Sequence, residues 1–153
     1  MEGNVFKNNY TVVRLEEKEY TKYCDNLSFI LKDLGITLFH FTRSVSEKRD
    51  HGDLDVIVLD TPTNYSAIRS FFHEYPTSKN GDVFSVLFNS FQIDFIFTPE
   101  KYFNYSCNYF DWNDLGNLIG RLSKSLGFKH GHNGLYYIHR IGDHYKKEHI
   151  LSY

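Results

Sequence analysis

Cysteine and proline are scarce in this chain of 153 residues, which contains two of the first and three of the second. Cys24 and Cys107 lie far apart and form no Cys-x-x-Cys or Cys/His pattern, so neither a zinc site nor redox chemistry is expected. With only ten glycines and no low-complexity tract, the composition also excludes a disordered or collagen-like chain. The composition therefore predicts a globular protein.

Long apolar runs are missing as well. No stretch approaches the roughly 20 apolar residues that a membrane-spanning helix needs. The start, MEGNVFKNNY, lacks the basic-then-apolar layout of a signal peptide. We therefore expect an intracellular protein with no membrane partner, and no obligate protein partner is evident.

Charge is distributed unevenly along the chain. Residues 1–115 hold 11 Lys/Arg against 17 Asp/Glu, whereas residues 116–153 hold 6 against 2 and five of the eight histidines. The C-terminal quarter thus carries a balance of 6 − 2 = +4, which favours a surface for a polyanion. The simpler interpretation, a solvated charged face, is the more common one for such a run.

Hydrophobic periodicity predicts an α+β fold, in which helices cover a mixed sheet and a small C-terminal lobe follows. The predicted helices span residues 15–34, 64–75 and 111–128. The predicted strands span residues 36–44, 53–60, 82–90 and 91–99, and a short hairpin turns at Asn133-Gly134. Asn89-Ser90 joins the last two strands as a hairpin.

Two aspartates lie in the largely apolar predicted strand HGDLDVIV, residues 51–58. Side chains two residues apart in a strand share a face, so Asp53 and Asp55 lie side by side and repel each other. A third carboxylate, Asp94, stands alone among the apolar residues of QIDFIF, in another predicted strand. If the two strands are neighbours, the three carboxylates meet and form a site for a hard cation such as Mg²⁺. The alternative is that Asp53 and Asp55 only solvate the end of a strand.

The segments GDLDVIVLDTP and QIDFIFTPEKYF resemble the palm of the polymerase β nucleotidyltransferase superfamily. The segment NYFDWNDLGNLIGRLSKSLGF resembles the junction between palm and thumb in family X DNA polymerases, and the likeness covers roughly residues 16–140. The residues of this junction that match in order are Tyr109, Phe110, Asn117, Arg121, Gly127 and Phe128. The resemblance implies a nucleotidyltransferase palm over residues 1–110 and a thumb-like lobe over residues 111–153.

The resemblance also implies roles for single residues. Asp53 and Asp55 would bind two Mg²⁺ ions, which Mn²⁺ can replace. Asp94 would bind the catalytic ion and help to deprotonate the primer 3′-hydroxyl. Contacts to the incoming dNTP are implied for Gly52, for Tyr109 and Phe110 at the sugar, and for Asn117 at the base. Contacts to primer-template or gapped DNA are expected from Arg121, Lys124, Lys129 and Arg140.

Three positions depart from the pattern of this family. Arg43-Ser44 replaces a Gly-Ser pair, so Ser44 is the candidate phosphate-binding hydroxyl, and the Arg43 guanidinium could grip phosphate in place of backbone amides. Gln92 stands where many relatives have arginine. Trp112 replaces a small residue and narrows the expected nucleotide pocket.

The resemblance therefore implies an enzyme that adds a deoxynucleotide to a DNA 3′ end, in gap filling or repair. One alternative is nucleotidyl transfer to tRNA, protein or a small molecule, which the thumb-like helix disfavours. A second alternative is a catalytically silent nucleic-acid-binding module that keeps the same fold.

Overall fold

The computed structural model describes residues 5–44, 48–113, 115–142 and 144–151, without the side chains of residues 140, 141, 144 and 145. The chain forms two units, Met1–Phe41 with Ser46–Pro99, and Thr42–Val45 with Glu100–Tyr153. The sequence prediction divided the chain after residue 110, whereas the segment Glu100–Phe110 belongs to the second unit. Within that unit, the Tyr105 hydroxyl lies 2.6 Å from His130 Nε2. The Ser106 hydroxyl donates to the His132 carbonyl oxygen at 2.7 Å.

The first unit contains a five-stranded mixed sheet and two helices. Its elements are β1 (Leu15–Glu16), α1 (Glu17–Asp33), β2 (Phe39–Phe41), β3 (Asp50–His51), β4 (Asp53–Leu59), α2 (Pro62–Phe71), β5 (Thr77–Asn80), β6 (Val83–Phe88) and β7 (Phe91–Thr98). The sheet has the order β2-β4-β7-β6-β5, and β1 pairs separately with β3. Only β4 and β7 run parallel within the five-stranded sheet. The predicted α+β fold is confirmed.

Alternation along β4 and β7 gives the sheet one apolar face. Leu54, Val56 and Val58 join a buried cluster that also includes Ile93 and Phe95. The helices contribute to the same cluster through Leu27 and Leu31 of α1 and through Ile68 of α2. Burying one such side chain contributes about 1.5–3 kcal/mol, so the register of β4 is strongly specified. The residues that alternate with this set, including the three aspartates, face the other side of the sheet.

Two turns of the first unit follow the local sequence signals. The Thr61 hydroxyl accepts a hydrogen bond from the Asn64 backbone amide at 3.1 Å, and Pro62 is the first residue of α2. Asn89 and Ser90 both have positive φ, of 51° and 64°, which is the backbone of a tight hairpin turn. The hairpin at Asn89-Ser90 was predicted.

The second unit consists of helices and a three-stranded antiparallel sheet in the order β10-β9-β8. Its elements are a 3₁₀ turn (Glu100–Tyr102), α3 (Phe103–Phe110), α4 (Leu115–Ser125), β8 (Phe128–Gly131), β9 (Gly134–Ile141) and β10 (His144–Leu151). The prediction included α4 and the β8–β9 hairpin and omitted α3, β10 and, in the first unit, β1, β3 and β5. Asp111, the first residue of the predicted third helix, is instead the C-cap of α3.

Candidate functional site

The register between β4 and β7 brings the predicted acidic residues together. Asp55 lies directly opposite Asp94, and Asp53 lies opposite Gln92. Because i and i+2 residues of a strand share a face, these four side chains form two adjacent rows on one face of the sheet. Ser85 of β6 lies opposite Asp94 on its other side. We call Asp53, Asp55, Asp94, Gln92 and Ser85 the carboxylate cluster.

Asp94 receives its hydrogen bonds from inside this cluster. The Gln92 Nε2 amide donates to Asp94 Oδ2 at 2.9 Å and to Oδ1 at 3.1 Å. Burial raises the pKa of Asp94, while hydrogen bonds from Ser85 and Gln92 act in the opposite direction and the Asp53 charge adds to the increase. Donated hydrogen bonds therefore replace part of the solvation that the carboxylate loses in the fold.

Asp55 has the strongest electrostatic conflict in the cluster. Burial, followed by the charges of Asp94 and Asp53, raises the pKa of Asp55 to about 7. A carboxyl group with that pKa is about half protonated at neutral pH, because burial and the neighbouring negative charges both disfavour its ionised form. A bound cation would favour the ionised form, so the cluster has an electrostatic reason to take one.

The oxygen atoms of the carboxylate cluster are suitable ligands for a hard cation, but they are not arranged around one common point. Carboxylate and amide oxygens are the ligands that Mg²⁺ and Mn²⁺ prefer. Among the residues that the structure describes, no three His, Cys, Asp or Glu side chains are arranged to hold a metal ion. Both Asp94 oxygens face the Gln92 amide, so the carboxylates must turn toward one another before all three can bind an ion. Gln92 Oε1, by contrast, is buried and has no hydrogen-bond partner in the described part of the chain.

The residues just before β4 make contacts with residues at and near the start of α1. His51 is buried, and its Nε2 lies 2.7 Å from Glu17 Oε2. Its ring stacks on Tyr20, with 3.6 Å between centroids and an interplanar angle of 7°. Arg14 Nη2 donates to Asp50 Oδ1 at 2.8 Å. These contacts fix the backbone on the N-terminal side of buried Gly52, and His51 acts as a satisfied hydrogen-bonding group rather than a metal ligand.

Arg43 is engaged by a buried carboxylate of the second unit. Its backbone amide donates to Asp111 Oδ1 at 2.8 Å, and its Nε and Nη2 approach Oδ2 at 2.7 and 2.6 Å. The Asp111 side chain is 0% exposed, against 54% for Arg43. The guanidinium also lies 4.7 Å from the centre of the Trp112 ring. The Arg43 guanidinium therefore neutralises Asp111, and only the exposed edge of the guanidinium is available for a phosphate.

The other predicted nucleotide contacts lie at α3 and α4 of the second unit. Tyr109 and Phe110 end α3 with their rings 5.1 Å apart in an edge-to-face arrangement, and burial raises the pKa of Tyr109. Asn117 and Arg121 are exposed on α4, one turn apart. Ser44 belongs to the same unit.

The predicted basic contacts are only partly described. Lys124 of α4 and Lys129 of β8 are exposed, whereas the side chain of Arg140 lies outside the described part of the structure. Lys147 lowers the pKa of Lys129, because a neutral Lys129 amine can accept a hydrogen bond from the Lys147 ammonium and because the two like charges repel. Two lysines held this close form a local concentration of positive charge.

Sequence reasoning missed Ser85 as a member of the carboxylate cluster. It is the one hydroxyl residue in the apolar run VFSVLF, and that isolation was the available signal. Its pairing with Asp94 depends on the β6–β7 register, which the hairpin length sets.

Comparisons of the sequence with protein-family models and with curated proteins find no match. Within the described ranges, no helix combines the length and the apolar character needed to cross a membrane.

Proposed function

We propose that this protein is a two-metal nucleotidyltransferase that adds deoxynucleotides to a DNA 3′ end. The observation that carries the proposal is the register in which Asp55 stands opposite Asp94 on parallel strands, with Asp53 on the same face. Three carboxylates on one face of adjacent strands bring together the oxygen ligands that divalent cations prefer. The Gly-Asp-x-Asp sequence that begins β4 adds the resemblance to nucleotidyltransferase palms.

Asp53, Asp55 and Asp94 would hold the two ions. When bound, such ions make a hydroxyl more acidic and stabilise the charge of a leaving pyrophosphate. Asp94 would accept the proton of the primer 3′-hydroxyl. A cation beside Asp55 would favour its ionised form, since the pKa of Asp55 without one is about 7.

The second unit supplies the groups for substrate recognition in this proposal. Tyr109 and Phe110 would contact the sugar, and Asn117 and Arg121 the minor-groove edges of the base pair, where the acceptors common to all pairs tolerate any correct match. Ser44 and the exposed edge of Arg43 would bind the triphosphate. Lys124, Lys129 and Arg140 would contact DNA phosphates.

Incorporation of a labelled dNTP into gapped DNA with Mg²⁺ or Mn²⁺ tests this proposal. Asp94→Asn is expected to abolish incorporation, while Asp60→Asn, an exposed aspartate just after β4, is expected to leave it unchanged. Parallel reactions with tRNA and with protein acceptors identify the other transferase activity, if label appears there instead.

One observation favours the catalytically silent alternative. Both Asp94 oxygens accept from Gln92, and Arg43 is paired with Asp111, so two groups that the proposal assigns to the reaction have other partners in the protein alone. DNA binding that persists in Asp94→Asn, with no incorporation into any acceptor by the unmodified protein, would favour this alternative over the enzyme.

A further inference from the structure

Gln92 is a polar residue in an almost completely closed environment. It is 1% exposed, in a strand whose other buried residues are mostly apolar. Its two amide contacts both go to Asp94, one to each carboxylate oxygen. Its carbonyl oxygen Oε1 is buried and accepts no hydrogen bond from any described residue. Within the described part of the chain, the nitrogen of this amide therefore has a partner and the oxygen has none.

The register explains what surrounds this unsatisfied oxygen. Gln92 lies opposite Asp53 on one side and Leu87 on the other. Neither side chain brings a hydrogen-bond donor, because Asp53 is an acceptor when ionised and Leu87 is apolar. Since no described residue donates to this buried acceptor, a water molecule or a cation is the partner that would satisfy it.

We propose that Gln92 is a positioning residue for a divalent cation, whose amide nitrogen orients Asp94 and whose carbonyl oxygen accepts a hydrogen bond from the hydration water of the ion. The inference rests on the proposed function, because it takes the carboxylate cluster as the metal site.

A neutral amide suits this position better than a charged side chain. It supplies a donor to Asp94 and an acceptor to water from one rigid group, and it adds no charge that would compete with the ion. Hydrogen-bond partners of metal-ligating carboxylates typically change metal affinity by about 10- to 100-fold when they are removed. We expect an effect of this size from Gln92.

Mn²⁺ binding to the full-length protein, followed by electron paramagnetic resonance, tests the role of Gln92 without relying on enzyme activity. Gln92→Met and Gln92→Leu keep much of the side-chain volume and remove both polar groups. Ile93→Met is the matched control, since Ile93 is equally buried in β7 but faces the helices. Circular dichroism and thermal unfolding without metal establish that each variant is folded, and whichever Gln92 variant folds is used.

The Gln92 variants are expected to bind Mn²⁺ about 10- to 100-fold more weakly, while Ile93→Met binds within twofold of the unmodified protein. In an Asp94→Asn background, Gln92→Met is expected to cause a much smaller further loss, because most of its effect acts through Asp94.

Two results would overturn this role for Gln92: an unchanged affinity in both Gln92 variants, or an equal loss with and without Asp94. If the unmodified protein binds no Mn²⁺, the metal site of the proposed function is itself wrong and this inference falls with it. Weaker binding in the Gln92 variants together with no DNA extension would support the positioning role and contradict only the polymerase reaction.

Discussion

Asp55 and Asp94 occupy opposed positions on the two parallel strands of the sheet, so each carboxylate has the other as its nearest neighbour across the ladder. Burial raises the pKa of both groups, and the charges of Asp94 and Asp53 help to raise that of Asp55 to about 7. The fold therefore places two mutually repelling acids where water is scarce, and the cost of that placement is measurable.

The first prediction concerns stability against pH without divalent cations. The pKa of Asp55 is higher in the folded protein than its usual unfolded value of about 3.9, so the unfolded chain loses this proton first as pH rises. The contribution of Asp55 to the free energy of unfolding is therefore expected to be most favourable below about pH 4. It should fall by roughly 2–4 kcal/mol as pH rises to about 7.

Urea unfolding at several pH values in the presence of a chelator measures this effect. Asp55→Asn should flatten the dependence between pH 4 and 7, whereas Asp60→Asn should not. Equal slopes in all three proteins would show that Asp55 is not the group responsible.

The second prediction concerns the pair of Arg43 and Asp111. Arg43→Ala removes the Nε hydrogen bond and the Nη2 ion pair to the buried Asp111 carboxylate, which is expected to cost about 3 kcal/mol of folding free energy. Arg43→Met with Asp111→Leu removes both charges and should recover most of the loss. Chemical denaturation of the single and double variants tests this, and a double variant less stable than Arg43→Ala would contradict it.

The third prediction compares two glycines of α4. A Cβ at Gly116 would collide with the Tyr109 carbonyl oxygen, whereas a Cβ at Gly120 would lie 3.5 Å from the His130 carbonyl oxygen. Gly116→Ala should therefore destabilise the protein by about 1–3 kcal/mol. Gly120→Ala should be neutral or stabilise it by up to about 1 kcal/mol, because alanine favours the helix. Thermal unfolding that ranks the two variants in the opposite order would contradict the close packing of α3 against α4.

The fourth prediction concerns salt-dependent DNA binding. If Lys129 neutralises a phosphate, Lys129→Ala should lower the slope of log affinity against log salt by about 1. Lys18→Ala, an exposed lysine of α1, is the control and should leave the slope unchanged. Fluorescence anisotropy with gapped DNA between 50 and 200 mM salt is suitable, as this is roughly the range over which such effects are large. Equal slopes for Lys129→Ala and the unmodified protein would remove Lys129 from the interface.

Local sequence signals were enough to predict the elements that position the aspartates. The alternation in DLDVIVL and FQIDFIFT indicated two strands with one apolar face, and Asn89-Ser90 indicated the hairpin. The sequence did not predict that β4 and β7 are neighbours, and the meeting of the three carboxylates was stated on that assumption. The register between strands about 40 residues apart depends on the whole sheet.

The missed elements had weak local signals. The segment FNYSCNYF has no strong helix formers, and α3 buries Phe103, Tyr105 and Ser106 within the second unit. The strand TSKN is short and polar, so β5 depends on its pairing with β6.

The apolar positions of α4 predicted an amphipathic helix correctly, but the pattern did not show which face would pack. Leu118, Leu122 and Leu126 are exposed, while Gly116 makes the close approach to Tyr109. The partner of Arg43 was missed for a similar reason, since nothing in the sequence near residue 43 indicates a carboxylate 68 positions away.

The central claim is that the three carboxylates bind divalent cations together, and the number of Mn²⁺ ions bound per chain in the presence of a dNTP tests it most directly. We predict two ions for the unmodified protein and a loss of at least one in Asp55→Asn. No bound Mn²⁺ in the unmodified protein, or the same number and affinity in Asp55→Asn, would contradict the account.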